Sequence, residues 1–318
     1  MGVLKTLTDE YFGDSIREED KIPIGDLDVE IVEFTDTNGV KYRHGYRVKD
    51  GDPDEMAKTL KTLIERAIEV RGTECSLNDI DVSNIKQMCY KEDKIYGVFR
   101  ESDFNGDISG WDVSNVKDMK YMFWYATSFN QDISKWDVSN VKNMYSMFYF
   151  AESFNGDISG WDVSKVEDMS YMFAYAESFN QPLDNWDVSN VEYMRSMFNG
   201  AISFNKPLNK WDVSKVEDMF GMFSAKSFNQ PLDKWGDKLL KVKNMRCMFS
   251  YAKSFNQPLD KWDVSNVKDM SGMFSGATSF NQDISGWDVS NVENMGAMFN
   301  NTPLKRNNKL PKWYLDRQ

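Results

Sequence analysis

The sequence predicts an α/β solenoid of about nine repeats, each about 25 residues long, with an α+β cap at its N-terminal end. Two observations support this class. The string Trp-Asp-Val-Ser recurs at a nearly constant interval, and within each copy the spacing of apolar residues changes from two to three or four. A damaged copy begins at Trp235 and a degenerate one at Ile80. The intact copies begin at Trp111, Trp136, Trp161, Trp186, Trp211, Trp262 and Trp287.

One copy illustrates the expected elements. Apolar residues alternate with polar ones over 133–138, which predicts a short strand with Asp137 directed away from the core. From Val141 to Ala151 the apolar residues follow one face of a helix, so we expect a helix over about 140–150 with Ser139 as its N-cap. The residues after Phe154 turn the chain back towards the next strand. A strand, a helix and a return loop in 25 residues form the leucine-rich-repeat plan, in which parallel strands line one face.

The repeat also explains an unusual composition. The 318 residues include 19 Met, 10 Trp and 21 Phe. Sixteen of the Met residues occupy two repeat positions three residues apart, and sixteen of the Phe residues occupy two other positions. Because these residues return in every copy, they indicate a continuous core rather than a single cofactor site.

An asparagine follows one of these Phe residues in each copy. Its side-chain amide would bind backbone groups of the adjacent coil that are otherwise unpaired, which predicts an asparagine ladder. The predicted ladder contains Asn130, Asn155, Asn180, Asn205, Asn229, Asn256 and Asn281, with Asn105 before it.

The recurring unit, as in Val166-Glu-Asp-Met-Ser-Tyr-Met-Phe-Ala-Tyr-Ala-Glu-Ser-Phe-Asn-Gln-Pro-Leu-Asp-Asn-Trp-Asp-Val-Ser, resembles the BspA-like leucine-rich-repeat family. That family was found first in mycoplasma-type lipoprotein-associated proteins, and the resemblance covers about residues 77–300. It implies a right-handed solenoid used for binding, often exposed on a cell surface, with no catalytic residues.

The two ends of the chain depart from the repeat. Residues 1–76 contain two expected strands, 27–34 and 40–48, and a helix that begins at Pro53. We interpret this segment as a cap on the first coil, with a separate recognition module as the alternative. The repeats occupy 77–300. Residues 301–318 are rich in Lys and Arg and are predicted to cap the last coil, with a basic docking tail as the alternative.

An aspartate equivalent to Asp137 occurs in nearly every copy. Parallel strands would hold these carboxylates about 5 Å apart, so their repulsion must be offset. One explanation is an Asx-type turn, in which each carboxylate accepts a backbone N–H just ahead of it. The other is a surface that binds Ca²⁺ or a basic partner. The candidate partner-binding residues, named here the aspartate row, are Asp112, Asp137, Asp162, Asp187, Asp212, Asp263 and Asp288.

The composition disfavours several classes of function. A net charge of −12 opposes binding to nucleic acid or to an anionic membrane surface. One His and three Cys supply neither a metal-ligand cluster nor a disulfide framework, and the sequence has no run of about 18 apolar residues. It also has no Gly-rich phosphate loop and no Ser-His-acid set. We therefore predict no enzymatic activity, cofactor, metal site or membrane span.

The predicted function is a non-enzymatic interaction scaffold that recognises a protein or a glycan through the concave strand face. The alternative is a structural or assembly component, such as a viral or cell-surface coat element, that uses the cap and the basic tail. That alternative includes self-association through the solenoid ends. The sequence begins without a signal peptide, so we expect a cytoplasmic or viral location, or the cell surface if a leader has been removed.

Overall fold

The computed structural model describes residues 20–92 and 94–317. Strands β1 (Val29–Thr35) and β2 (Lys41–Val48) form an antiparallel hairpin, and helix α1 (Pro53–Arg71) follows. Asp36 Oδ1 closes the hairpin turn by accepting the N–H groups of Asn38 and Val40 at 2.9 and 2.8 Å. Asp52 caps the first turn of α1, and Gly72 ends the helix at φ 87°. The hairpin and the helix lie where the sequence predicts them.

The hairpin is joined to the first repeat through a third strand. Strand β3 (Ile80–Asp81) pairs with β2 in parallel, so Tyr46 lies opposite Ile80 and Arg47 opposite Asp81. The guanidinium of Arg47 also donates to the buried carboxylate of Asp81. A second hairpin, β4 (Cys89–Lys91) and β5 (Ile95–Gly97), accommodates the extra residues of this first copy.

The regular repeats contain no α-helix between residues 98 and 302 of the described chain, so the helix predicted over 140–150 is wrong. Alternate backbone N–H groups form turns, as in Met147 to the Met144 carbonyl at 3.2 Å. The intervening N–H groups cross to the next coil, as in Ser146 to the Ser170 carbonyl and Phe148 to the Met172 carbonyl, both 2.9 Å. A helix would satisfy all these groups internally. The spacing of buried residues was the same for both structures, and the neighbouring coil decided between them.

The strand predicted over 133–138 is also wrong. Turns hold this segment, with Trp136 N–H donating to the Ile133 carbonyl at 3.2 Å. Parallel β-bridges instead connect successive coils at a position six residues beyond Asp137, and each is an isolated bridge. The bridged residues are Gln87, Asp118, Asn143, Asp168, Tyr193, Asp218, Asn244, Asp269 and Asn294.

Equivalent residues of successive coils stack to form the core. The repeated Met, Phe and Trp side chains are buried, and Phe148 stacks on Phe123 and Phe173 with ring centroids 5.4 and 5.7 Å apart. Nine of the ten tryptophans donate their indole N–H to an Ile or Leu carbonyl of the preceding coil, at 2.8–3.2 Å. Each core position thus forms a continuous row along the stack.

The basic C-terminal segment covers the last coil with two short helices, α2 (Pro303–Arg306) and α3 (Lys312–Leu315). Trp313 occupies the next place in the tryptophan row. Its indole N–H donates to the Ile284 carbonyl at 3.2 Å, and its ring stacks on Trp287 with centroids 6.4 Å apart. Arg317 donates to the Val292 carbonyl at 2.8 Å. Among the described residues, no helix has the length and apolar character needed to cross a membrane.

Candidate functional site

The aspartate row forms local turns. Each carboxylate accepts the backbone N–H of the Ser two residues later, at 2.9–3.1 Å. Hydrogen bonds from the hydroxyl and the N–H of Ser164 lower the pKa of Asp162, and Ser290 does the same for Asp288. Asp137 is exposed. The Asx-type turn therefore accounts for one oxygen of each carboxylate, and at Asp162 and Asp288 it stabilises the ionised form.

No group of three or more His, Cys, Asp or Glu side chains in residues 20–92 and 94–317 is placed to hold a metal ion. The structure therefore gives the Ca²⁺ explanation of the aspartate row no support.

The asparagines of the predicted ladder connect the coils in the described chain. From Asn105 to Asn256, the Oδ1 of each accepts the backbone N–H of the next asparagine, at 2.8–3.1 Å, and Asn281 ends the ladder.

A different surface forms an open depression. Aromatic side chains of three successive coils line an open groove of about 410 Å³, with Lys94, Ile95 and Arg100 at one end. We name this surface the aromatic groove. Its aromatic residues are Tyr121, Trp124, Tyr145, Tyr149 and Tyr171.

The rings of the aromatic groove form a continuous row along the stack. Tyr145 lies between Tyr121 and Tyr171, with ring centroids 5.3 and 5.6 Å apart and tilts of 62° and 60°. Trp124 and Tyr149 are stacked at 5.9 Å. These rings are partly exposed, unlike the core aromatics.

Several of these aromatics have a strained backbone. Tyr121 and Tyr171 adopt φ 57° and 59°, in the left-handed region that bulky residues rarely occupy. The same position of two later coils is Gly221 and Gly272, at φ 60° and 63°. A side chain there costs about 1–2 kcal/mol relative to glycine. Ring pairs contribute about 0.5–1.5 kcal/mol each in addition to the burial of the rings, which offsets this backbone cost.

The second left-handed position of each coil follows the same pattern. Beside the groove it holds a stack of aromatic rings, Tyr125 on Phe150 and Phe150 on Tyr175, with centroids 4.4 and 4.3 Å apart. In later coils it is Gly200, Tyr251, Gly276 or Asn301. Aromatic residues at both strained positions are thus concentrated in the coils that form the groove.

Trp124 is the one tryptophan outside the tryptophan row. Within residues 20–92 and 94–317, no group accepts a hydrogen bond from its indole N–H. The other nine indoles each donate to a backbone carbonyl. The Arg100 guanidinium lies over its ring at 4.2 Å and over Tyr96 at 4.9 Å. Arg100 thus fixes one wall of the groove through cation–π contacts.

Tyr121, Tyr145 and Tyr149 keep their hydroxyl protons at neutral pH. Burial raises the pKa of Tyr121 and of Tyr149, and burial together with the neighbouring Tyr121 raises the pKa of Tyr145 to about 12. A protonated phenol both donates and accepts hydrogen bonds. The groove therefore combines apolar ring faces with neutral hydroxyl groups.

The repeat pattern alone does not reveal this groove. The available signal was the identity of residues between the repeated Met and Ala positions. These are Tyr, Trp or Phe at Tyr121, Trp124, Tyr145, Phe150 and Tyr175, but mostly Ser, Gly, Asn or Arg in later copies. In the predicted helix, they would have been ordinary surface residues.

The comparisons with known proteins identify a family. Three segments of the chain, residues 60–176, 156–240 and 237–317, match a family described as Mycoplasma protein of unknown function, DUF285. No curated protein matches the chain, and no solved structure does. Because the matched segments together span residues 60–317, the chain is a repeat protein that belongs to this Mycoplasma family of unknown function.

Proposed function

We propose that the protein is a non-enzymatic recognition scaffold, a solenoid that binds a protein or a glycan on the surface of its stacked coils. Stacking gives a long surface on which each coil presents its own side chains. The resemblance to BspA-like leucine-rich-repeat proteins points to the same class of function. We assign the contact surface to the aromatic groove, and the aspartate row stays a prediction.

The observation that carries this proposal is the concentration of partly exposed aromatic side chains in three successive coils. Tyr121 and Tyr171 occupy a left-handed position that holds Ser, Cys, Ala or Gly in the other coils, so the backbone there does not require an aromatic side chain. Because the left-handed conformation returns in every regular coil and the aromatics do not, the aromatic side chains rather than the strain distinguish the groove. Exposed Tyr and Trp side chains are also the residues that most often anchor interfaces. The aspartate row lacks this distinction, because its turns return in nearly every coil.

The basic tail gives less support to an assembly role. Trp313 and Arg317 are bonded to the last coils of their own chain. These contacts are those of a terminal cap.

The test compares binding of the full chain with that of two variants. A glycan array and a peptide display library are probed with the wild type, the double variant Tyr121→Gly/Tyr171→Gly, and Tyr251→Gly. Tyr251 is the matched control, because it has φ 57° and is 64% exposed but lies outside the groove. We expect ligands that the control retains and the double variant loses. Ligands that bind all three proteins equally, or no ligands at all, would reject the groove as a recognition site.

A further inference from the structure

We propose that the occupant of the aromatic groove is a proline-rich peptide in the polyproline II conformation, with an acidic residue next to Lys94 and Arg100. This inference rests on the proposed recognition function and adds the chemical class of the ligand. It is argued from the spacing of the rings, the hydrogen-bond donors of the groove and the charge at its end.

The ring spacing matches the period of the peptide. Tyr121 and Tyr171 belong to alternate coils, which are joined through parallel bridges at Asp118, Asn143 and Asp168. Two steps of about 4.8 Å separate them by about 9.6 Å along the stack. A polyproline II helix has three residues per turn and rises about 3.1 Å per residue, so its period is about 9.3 Å. Prolines three residues apart would therefore meet Tyr121 and Tyr171 in turn.

The groove supplies the donors that such a peptide needs. A polyproline II helix makes no internal hydrogen bonds, so its carbonyl groups must be solvated or accept from the partner. The indole N–H of Trp124 is without an acceptor in the described chain, and the phenol of Tyr149 is held in its protonated form by burial. Aromatic-lined grooves that carry such donors are a known means of recognising proline-rich segments.

The charge at one end of the groove sets the direction of the peptide. Lys94 and Arg100 line this end, although the chain as a whole carries −12. The Arg100 guanidinium is fixed by a hydrogen bond to the Ile95 carbonyl at 2.8 Å and an ion pair with Glu101 at 3.3 Å. The exposed Lys94 is the more accessible cation. An acidic residue of the peptide would therefore lie at this end.

The experiment measures fluorescence anisotropy of labelled synthetic peptides with the full chain. The first peptide carries Glu at one end of a series of prolines three residues apart. The second has the same composition in scrambled order, and the third carries Lys in place of Glu. We expect the first to bind best, and Tyr121→Gly/Tyr171→Gly to weaken it at least about tenfold, or about 1.4 kcal/mol. Tyr251→Gly should leave it unchanged.

Two further measurements separate the possible outcomes. Lys94→Glu should weaken the Glu peptide and strengthen the Lys peptide, whereas Lys261→Glu, at an exposed lysine outside the groove, should do neither. Equal binding of the ordered and scrambled peptides would overturn the polyproline assignment. If an oligosaccharide binds instead, in a manner that depends on Tyr121 and Tyr171, the recognition function stands and the peptide assignment fails. If neither class binds through these tyrosines, both proposals fail.

Discussion

The asparagine ladder allows a stability prediction whose size follows from the hydrogen bonds that a single side chain makes. Asn229 lies in the middle of the stack. Its Oδ1 accepts the backbone N–H of Asn256 at 2.9 Å and the Nε2 of Gln257 at 3.1 Å. Gln257 also donates to the Asn229 carbonyl at 3.0 Å. Asn229→Ala therefore leaves one group, the Asn256 N–H, without its protein acceptor.

The expected loss is about 1–2 kcal/mol in the free energy of unfolding. An unsatisfied buried donor costs about 1–3 kcal/mol, and the partial exposure of Asn256 lets water reduce this penalty. Loss of the contact with the Gln257 side chain adds little to this cost, because its Nε2 still donates to the backbone carbonyl of residue 229. Asn229→Asp keeps the acceptor oxygen and should cost less than Asn229→Ala. Asn185→Ala, which removes only a 3.3 Å contact with the Lys210 ammonium, should change stability by less than about 0.5 kcal/mol.

Urea unfolding measures the loss through the midpoint and the slope. Amide hydrogen exchange locates it, because protection of the Asn256 amide should fall while amides several coils away keep theirs. Repeat stacks are stabilised by contacts between neighbouring coils, so the effect should remain local. If Asn229→Ala unfolds like Asn185→Ala and the Asn256 amide stays protected, then the ladder contributes no stability and the reasoning is refuted.

Three further predictions concern a turn, a tyrosine and the cap. In urea unfolding, Asp137→Ala should lower the free energy of unfolding by about 0.5–1.5 kcal/mol, because it removes the 3.0 Å hydrogen bond from the Ser139 N–H. Asp137→Asn keeps an acceptor and should leave the stability nearly unchanged. Equal losses in the two variants would contradict the turn explanation. The pKa of Tyr145 is about 12 in the folded chain against an ordinary 10.0, so the unfolded chain loses this proton first and the free energy of unfolding should fall as pH rises through that interval. Tyr145→Phe should lose less stability over that interval than the wild type or a Tyr251→Phe control. Identical losses of stability in all three proteins would contradict this prediction. Deleting residues 312–318 uncovers Trp287, so sedimentation should show concentration-dependent association, and a strictly monomeric product would count against the cap.

Some of the candidate sites can be predicted from the sequence, and one cannot. The positions of the asparagines and the possibility of an Asx turn at Asp137 follow from local chemistry, because each involves a short polar side chain and nearby backbone groups. The aromatic groove depends on contacts between coils. Tyr121, Tyr145 and Tyr171 are 24 to 26 residues apart in the sequence, and only stacking brings their rings within 6 Å.

Local sequence patterns are enough to specify the repeat, its period of about 25 residues, the buried Met, Phe and Trp positions, and the hairpin and helix that precede the repeats. These features depend on hydrophobic periodicity and local capping, which a single chain segment already specifies. The backbone conformation between those buried positions depends instead on contacts between coils. Apolar residues three and four positions apart are compatible with both a helix and a series of turns. The turns form because alternate backbone N–H groups, such as that of Ser146, donate to the next coil instead of to their own. Tyr121 and Tyr171 are themselves left-handed residues of these turns, and they line the groove. The fold and the candidate site therefore depend on the same contacts between coils.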